Sequence, residues 1–328
     1  MILTRTPMRL PLGGGGTDLP SYYSKYEGWL IGAGMDKYMF INVNRPIVDE
    51  MIHVKYSKSE TVDTVDQVQH PLVREALKLL NISNTVEITA MADIPAGTGL
   101  GSSSCFTVGL LNALYALKKE RVPTQVIAEE ACTIEIDRVG KPIGKQDQYL
   151  AAFGGLTVLE FDRSGHVTVR PAEIAPHVRQ DLERNLMIFY TGIKRDADEV
   201  LSEQSRAVKD QSQKVVESMH EIKRIGQQMY KGLQKGDVHQ VGDLMDVHWQ
   251  TKKKVSTKIS NPQIDEWYSV ARKNGALGGK IMGAGGGGFF LFYCDEERNK
   301  LREALAKVGL REMFFRFDME GSKVLVDF

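Results

Sequence analysis

The sequence predicts an α+β fold in two halves that divide near residue 180. Three observations carry that expectation. Short apolar segments of period two and segments of helical period follow one another irregularly along the chain, not as a repeating strand–helix unit. A charged, amide-rich block of helical period, Ala197 to Gln250, begins soon after residue 180 and changes the local composition. At 328 residues the chain is too long for one small core and suits two domains, 1–180 and 181–328.

Taken in order, the first 60 residues read as strands and turns. Tyr38 to Val43 is rich in aromatic and β-branched residues, and Ile52 to Tyr56 alternates. Leu72, Val73, Ala76, Leu77 and Leu80 fall at helical spacing. Val86 to Ala90 alternates as a half-buried strand does, and it runs into a glycine-rich turn at 97–101. A helix carrying Phe106, Leu110, Leu111, Leu114 and Leu117 follows. A second helix covers about 124 to 138, with Val126, Ile127, Ala131 and Ile134 on one side. Strands are expected at Leu156 to Phe161, Val167 to Arg170 and Leu186 to Tyr190. Near the end, Gly279 to Met282 and Phe289 to Tyr293 read as two strands joined by glycines. A helix over Glu297 to Lys307 and a last strand around Glu312 to Phe317 complete the chain.

Composition excludes several functions. The formal net charge is zero, so no global basic field recruits nucleic acid or an anionic membrane. Phosphate, if bound, is held locally by a few placed groups. Cys105, Cys132 and Cys294 lie far apart, which argues against a disulfide framework or a zinc site, and the first two read as buried thiols. No long apolar run precedes the glycines at the N-terminus, and none approaches the roughly 18 residues of a membrane span. The expected address is the cytoplasm. Trp249 and Trp267 read as core or interface residues.

Three glycine-rich segments stand out: Gly13-Gly14-Gly15-Gly16-Thr17-Asp18, Pro95-Ala96-Gly97-Thr98-Gly99-Leu100-Gly101-Ser102-Ser103-Ser104 and Lys280-Ile281-Met282-Gly283-Ala284-Gly285-Gly286-Gly287-Gly288. Glycine carries an entropic penalty, so such clusters persist where left-handed backbone or close approach to a ligand is required. In the second segment a strand feeds a loop without side chains, and serines then open a helix. The N–H groups at a helix start form an anion site, and Ser102 to Ser104 add hydroxyls. A serine cap after a tight turn would use the same letters. No Gly-Lys-Ser/Thr follows, so this is not a Walker loop.

Gly283, Gly285 and Gly288 formally satisfy G-x-G-x-x-G. A strand and not a helix follows, which argues against dinucleotide binding. A hairpin turn, or a loop packed against another loop's ligand, remains. The first segment ends in Thr17-Asp18, able to bind sugar hydroxyls, with Arg9 upstream. A surface charge and a turn residue are the alternatives for Arg9 and Asp18.

Together these residues resemble the GHMP kinase family. Pro95-x-x-x-Gly99-Leu100-Gly101-Ser102-Ser103-Ser104 is similar to its second motif, Pro7-Met8-Arg9-Leu10 with the glycines to its first, and Gly283 to Gly288 to its third. The order is right and the resemblance spans the chain. Within the family, Gly14 to Asp18, Lys145-Gln146-Asp147-Gln148-Tyr149 with Phe153-Gly154-Gly155, and Tyr190-Thr191-Gly192 resemble the bacterial branch acting on D-glycero-D-manno-heptose 7-phosphate. Several of these segments also occur in fucokinase-like enzymes. The Glu-His pair usual in the first motif of galactokinases is absent, and Gly13 and Met282 depart from the heptose branch.

The resemblance implies an S5-like N-terminal half, a ferredoxin-like C-terminal half and an active site between them. It implies ATP on Pro95, Gly97, Gly99, Leu100, Gly101 and Ser102 to Ser104, with Mg2+ held by Ser103 or Ser104 and Glu135. Asp137 is the rival of Glu135. Asp147 would take the proton of the attacking hydroxyl, with Arg9 as its charge partner or as a neutraliser of the transferred group. Gly14, Gly15, Gly16, Thr17, Asp18, Gly285 and Gly286 would bind the sugar. Lys194 and Arg195 would clamp a phosphate already on it, or else form an exposed pair. The implied enzyme is a monomer or homodimer that phosphorylates an anomeric hydroxyl. A fucose-like acceptor, or a catalytically silent sensor of the same fold, is the alternative.

Overall fold

The structure, a computed structural model, describes residues 1–194, 197–210 and 212–328. The first half opens with β1 (Ile2–Gly13), α1 (Pro20–Tyr26) and the long β2 (Gly28–Asn44). A hairpin of β3 (Ile52–Lys55) and β4 (Ser59–Val62), α2 (Pro71–Leu79) and β5 (Val86–Ala92) follow. Then come α3 (Ser102–Leu117), α4 (Thr124–Cys132), α5 (Gln146–Phe153), β6 (Leu156–Phe161), β7 (Val167–Pro171) and α6 (Pro176–Asn185). The expected reading of the first 60 residues as strands and turns therefore misses α1, a helix of seven residues with proline at its start.

Strand β2 organises this half. It pairs with β1 along its length, with β6 over its first residues and with β5 over its last. Against the sheet lies α3, apolar nearly all round, and a helix of that kind belongs inside a protein. Twelve of its sixteen residues are buried, so its N-terminus is anchored in the core. Beyond α4 the helix continues as a π turn, Thr133–Arg138, in which the Val139 N–H donates to the Ile134 carbonyl. That wider turn carries two consecutive side chains inward, and Ile134 and Glu135 are both fully buried.

The second half contains β8 (Leu186–Tyr190), α7 (Ala197–Lys209), α8 (Gln213–Gln234), α9 (His239–Lys252), α10 (Pro262–Lys273), β9 (Gly278–Ile281), β10 (Phe289–Tyr293), α11 (Arg298–Lys307) and β11 (Arg311–Met313). Among the described residues its sheet runs β11-β8-β10-β9, antiparallel throughout. Numbered within the half, that is strand order 4-1-3-2 with helices after the first and third strands, the ferredoxin-like arrangement. The third glycine segment is the turn between β9 and β10.

The chain then returns. The last strand expected at Glu312 to Phe317 is divided: β11 stays in the second sheet, while β12 (Phe317–Asp318) joins β2 of the first. The final strand β13 (Lys323–Asp327) pairs with β1. A single cut near 180 thus leaves the C-terminal residues on the sheet of the first half. No helix among the described residues is long and apolar enough to cross a membrane.

The halves meet where α8 crosses the end of β1. A Cβ on Gly226 would lie 2.7 Å from the Gly14 nitrogen and 2.9 Å from the Gly13 carbonyl carbon, too near for either to tolerate. Gly226→Ala gains up to about 1 kcal/mol of helix propensity, while overpacking costs about 1–3 kcal/mol. The variant is expected to unfold at lower urea concentration than the wild type. A higher midpoint would contradict this packing.

Candidate active site

A cavity of about 270 Å³ opens between the halves, lined by all three glycine-rich segments. Its floor is the start of α3. Gly101, the residue before the helix, adopts φ 75°, and a Cβ there would press on Arg9 Cγ and Asp147 Oδ2, each 3.1 Å away. Ser102, Ser103 and Ser104 line the cavity, as do Gly97 and Gly99. The first-turn N–H groups of a helix and three hydroxyls thus share one concave surface, a chemistry suited to phosphate oxygens. Pro95 and the fully buried Leu100 are not part of the lining.

Arg9 is the hub. Its Nε donates to Asp147 Oδ1 at 2.6 Å and its Nη2 to Asp147 Oδ2 at 2.9 Å, while Nη1 donates to the Gly99 carbonyl at 2.7 Å. Only 4% of Arg9 is exposed, while Asp147 keeps a partly exposed edge on the cavity, so the fork is fixed from the buried side. Asp147 lies in the first turn of α5, where a carboxylate complements the helix dipole.

Glu135 reaches the far side of the serine cluster. Its Oε2 accepts from Ser103 Oγ at 2.8 Å and from Lys141 Nζ at 3.2 Å, and its Oε1 accepts from Gln148 Nε2 at 3.1 Å. Asp137, its rival, is exposed and outside the cavity lining. The Glu135 carboxylate and Ser103 hydroxyl already share an ammonium, so this pair of hard oxygens suits a cation.

Asp18 occupies another wall with Gly15 and Gly16. It accepts from the Gly16 and Gln146 N–H groups and from Gln146 Nε2. Burial pushes its carboxyl above the usual range, opposed by the Gln146 N–H and assisted by the nearby charge of Asp147. Gly14 and Thr17 do not line the cavity. Thr17 is fully buried and its hydroxyl donates to the Gly14 and Trp29 carbonyls, a bond set that closes the turn.

The third glycine segment contributes Gly283 and Ala284 to the lining, but not Gly285 or Gly286. Gly286 instead donates its N–H to the Ile259 carbonyl at 2.8 Å. At its end, a Cβ on Gly288 would overlap the Thr98 carbonyl, so this turn buttresses the 97–104 loop from behind. Lys194 is exposed and does not line the cavity, and Arg195 lies outside the described residues.

Sequence reasoning missed Lys141, Gln146, Gln148, Gln204, His248, Lys252 and Lys280. All but Gln148 line the cavity, and Gln148 supports Glu135 from within the core. Lys280 begins the third glycine segment and had a visible signal, a lysine beside glycines, as had Gln146 and Gln148, which flank Asp147. The Lys280 Nζ donates to the Leu12 carbonyl at 2.6 Å. Burial, then the charges of Lys252 and Arg9, push Lys280 well below the ordinary lysine range.

A base depressed in the folded state binds fewer protons folded than unfolded between its two pKa values, so stability rises with pH across that window. Lys280→Met removes the dependence. Its melting temperature relative to wild type should fall steadily from about pH 7 to about pH 10, where unfolded lysine begins to lose its proton. A melting temperature that rises relative to wild type toward the higher pH would contradict the burial of this charge.

Comparison with known proteins places the chain among relatives over its full length. Residues 70–155 match the profile of the GHMP kinases N terminal domain, and residues 229–310 that of the GHMP kinases C terminal. A D-glycero-alpha-D-manno-heptose 7-phosphate kinase of Campylobacter jejuni is 31% identical, with 98% of each chain covered. A putative sugar kinase from Campylobacter jejuni superposes with TM-score 0.78 at 29% identity, over 98% of this chain and 97% of that one. A D-glycero-D-manno-heptose 1-phosphate kinase from Bacteroides thetaiotaomicron shares the fold, with TM-score 0.82 at 24% identity and both chains covered completely.

Proposed function

The chain belongs to the GHMP kinases, and on that premise we propose that it transfers the γ-phosphoryl group of ATP to the anomeric hydroxyl of D-glycero-D-manno-heptose 7-phosphate. It is a sugar kinase, a phosphotransferase with an alcohol acceptor. The observation that carries the reaction is the meeting of a carboxylate with a phosphate-type loop, Asp147 Oδ2 lying 3.1 Å from where a Cβ of Gly101 would stand.

Phosphoryl transfer asks a protein mainly for positioning and charge neutralisation. The loop at Gly97, Gly99, Gly101 and Ser102 to Ser104 receives the phosphates of ATP with N–H groups and hydroxyls. Asp147 accepts the proton of the anomeric hydroxyl as its oxygen attacks the γ-phosphorus. The bond from that phosphorus to the β–γ bridging oxygen breaks and ADP leaves. Arg9 holds Asp147 by both oxygens and turns its remaining field toward the transferred group. Asp18 and Gln146, bonded to each other, present polar atoms to sugar hydroxyls. Ser103, Ser104 and Glu135 would hold magnesium, which when bound neutralises phosphate charge. The reading assigns the enzyme to the cytoplasm, where ATP is abundant, as a monomer or homodimer.

ATP consumption with magnesium, measured against a panel of sugars and sugar phosphates, tests this reading. The heptose 7-phosphate should be consumed fastest, and Asp147→Asn should lower kcat by about 10²–10⁴-fold. Faster turnover of a fucose-like sugar would keep the kinase and replace its acceptor. ATP binding without turnover of any sugar would overturn the reading in favour of a silent ligand sensor. Glu135→Gln should raise the magnesium concentration needed for half-maximal rate, and an unchanged magnesium curve would remove Glu135 from the metal site.

A further inference from the structure

Lys141 stands against the oxygens that the reading above assigns to magnesium. Its Nζ donates to Ser103 Oγ and, at 3.2 Å, to Glu135 Oε2. The Glu135 side chain is fully buried, and a buried carboxylate is tolerated only when paired and hydrogen-bonded. The ammonium supplies the charge. It does so on the same hard oxygens that a divalent cation would take.

The bonds around Glu135 divide into those that can stay and those that can exchange. A hydroxyl has one proton and two lone pairs. Ser103 Oγ sends its proton to Glu135 Oε2 at 2.8 Å, and the ammonium uses a lone pair, the part of the oxygen that a metal also uses. Gln148 Nε2 holds Glu135 Oε1 at 3.1 Å from the buried side. One cation can therefore replace the other without turning the serine or the carboxylate.

Lys141 is placed to move. Its side chain is 23% exposed and lines the cavity beside Ser102 to Ser104. Its main chain is fixed, the N–H donating to the Glu135 carbonyl at 2.9 Å. A lysine carries a point charge on a flexible stem, whereas Arg9 is locked by its fork. An ammonium and a dication in contact with one oxygen repel each other, so they cannot share it. Ser103 belongs to the loop that receives the phosphates of ATP, so a lysine leaving it has phosphate oxygens within reach.

We propose that Lys141 and magnesium are alternative occupants of the Ser103 and Glu135 oxygens, and that the displaced lysine binds the phosphates of ATP. The inference rests on the kinase reading above and adds a residue to it. Glu135 keeps a cation at every stage, and the donor phosphates gain a second one as the exchange occurs.

Calorimetric titration with magnesium chloride, without nucleotide or sugar, would compare wild type, Lys141→Met and Lys145→Met. An internal competitor that leaves a site open one part in ten to one in a hundred weakens apparent affinity by about 10–100-fold. Lys141→Met should bind magnesium more tightly than the wild type by that factor. Lys145 is the control, on the same loop but outside the cavity lining, its Nζ donating to the Gly165 carbonyl. Its loss should leave the affinity unchanged. No gain in Lys141→Met, or an equal gain in both variants, would overturn the proposal. At saturating magnesium, Lys141→Met should bind ATP about 10–100-fold more weakly, the loss of a charge-assisted hydrogen bond. Undiminished ATP binding would overturn the move to phosphate.

The wild type offers a measurement that needs no variant to fold. Acetylation of Lys141 by an amine-reactive reagent, read by mass spectrometry, should quicken with saturating magnesium and slow again when ATP joins it. A rate at Lys141 that magnesium leaves unchanged would overturn the exchange. Sugar turnover separates the two levels. Tighter metal binding by Lys141→Met in a protein that phosphorylates no sugar supports the exchange while the kinase reading fails. Turnover by the wild type with no gain in the variant defeats the exchange alone.

Discussion

The guanidinium of Arg9 ties together three parts of the chain at the site. It projects from the first strand, forks onto Asp147 at the start of α5, and reaches the Gly99 carbonyl in the 97–104 loop. The Arg9 N–H also donates to the Leu100 carbonyl, so main chain and side chain grip the same loop. A loop rich in glycine gains little rigidity from its own residues. Here it is held in front by Arg9, below by the buried helix α3 and behind by the Gly288 turn. The residue that fixes the loop also fixes the carboxylate beside it.

The second half adds cations to the two that the first contributes, Arg9 and Lys141. The first half contributes helix N-termini, glycines and three carboxylates, Asp18, Glu135 and Asp147. The lysines and histidine on the opposite wall come from α9 and β9. Two anionic substrates brought together need cations on both sides, or their mutual repulsion opposes the approach. The return of β12 and β13 to the first sheet crosses the boundary again, so the halves are joined at both ends of the second. The packing of Gly226 on Gly13 and Gly14 sets how closely they meet.

Much of this was legible in the sequence because glycine letters encode backbone geometry directly. The loop at 97–104, the hairpin character of 283–288 and the helix after Ser102 all followed from local pattern. Asp147 and Glu135 were reached through resemblance, but their settings were not readable. Gln146–Phe153 is too short to show a helical period, and a π turn that rotates Glu135 inward has no letter of its own. The convergence of His248, Lys252 and Lys280 is purely tertiary, since two elements that share no motif meet only in the fold. Proximity to a motif misled for Lys194 and Thr17, one exposed and the other consumed in closing a turn. The pairing of β13 with β1 joins the two ends of the chain, beyond the reach of any local rule.

The central claim is that Arg9 and Asp147 act as one unit in phosphoryl transfer. A double-mutant cycle on the single-turnover rate, with Arg9→Lys, Asp147→Asn and the two combined, tests it most directly. The account predicts that the double variant loses far less than the product of the two single losses, because each change disables the same positioned carboxylate. Losses that multiply in full would show two independent residues and contradict it.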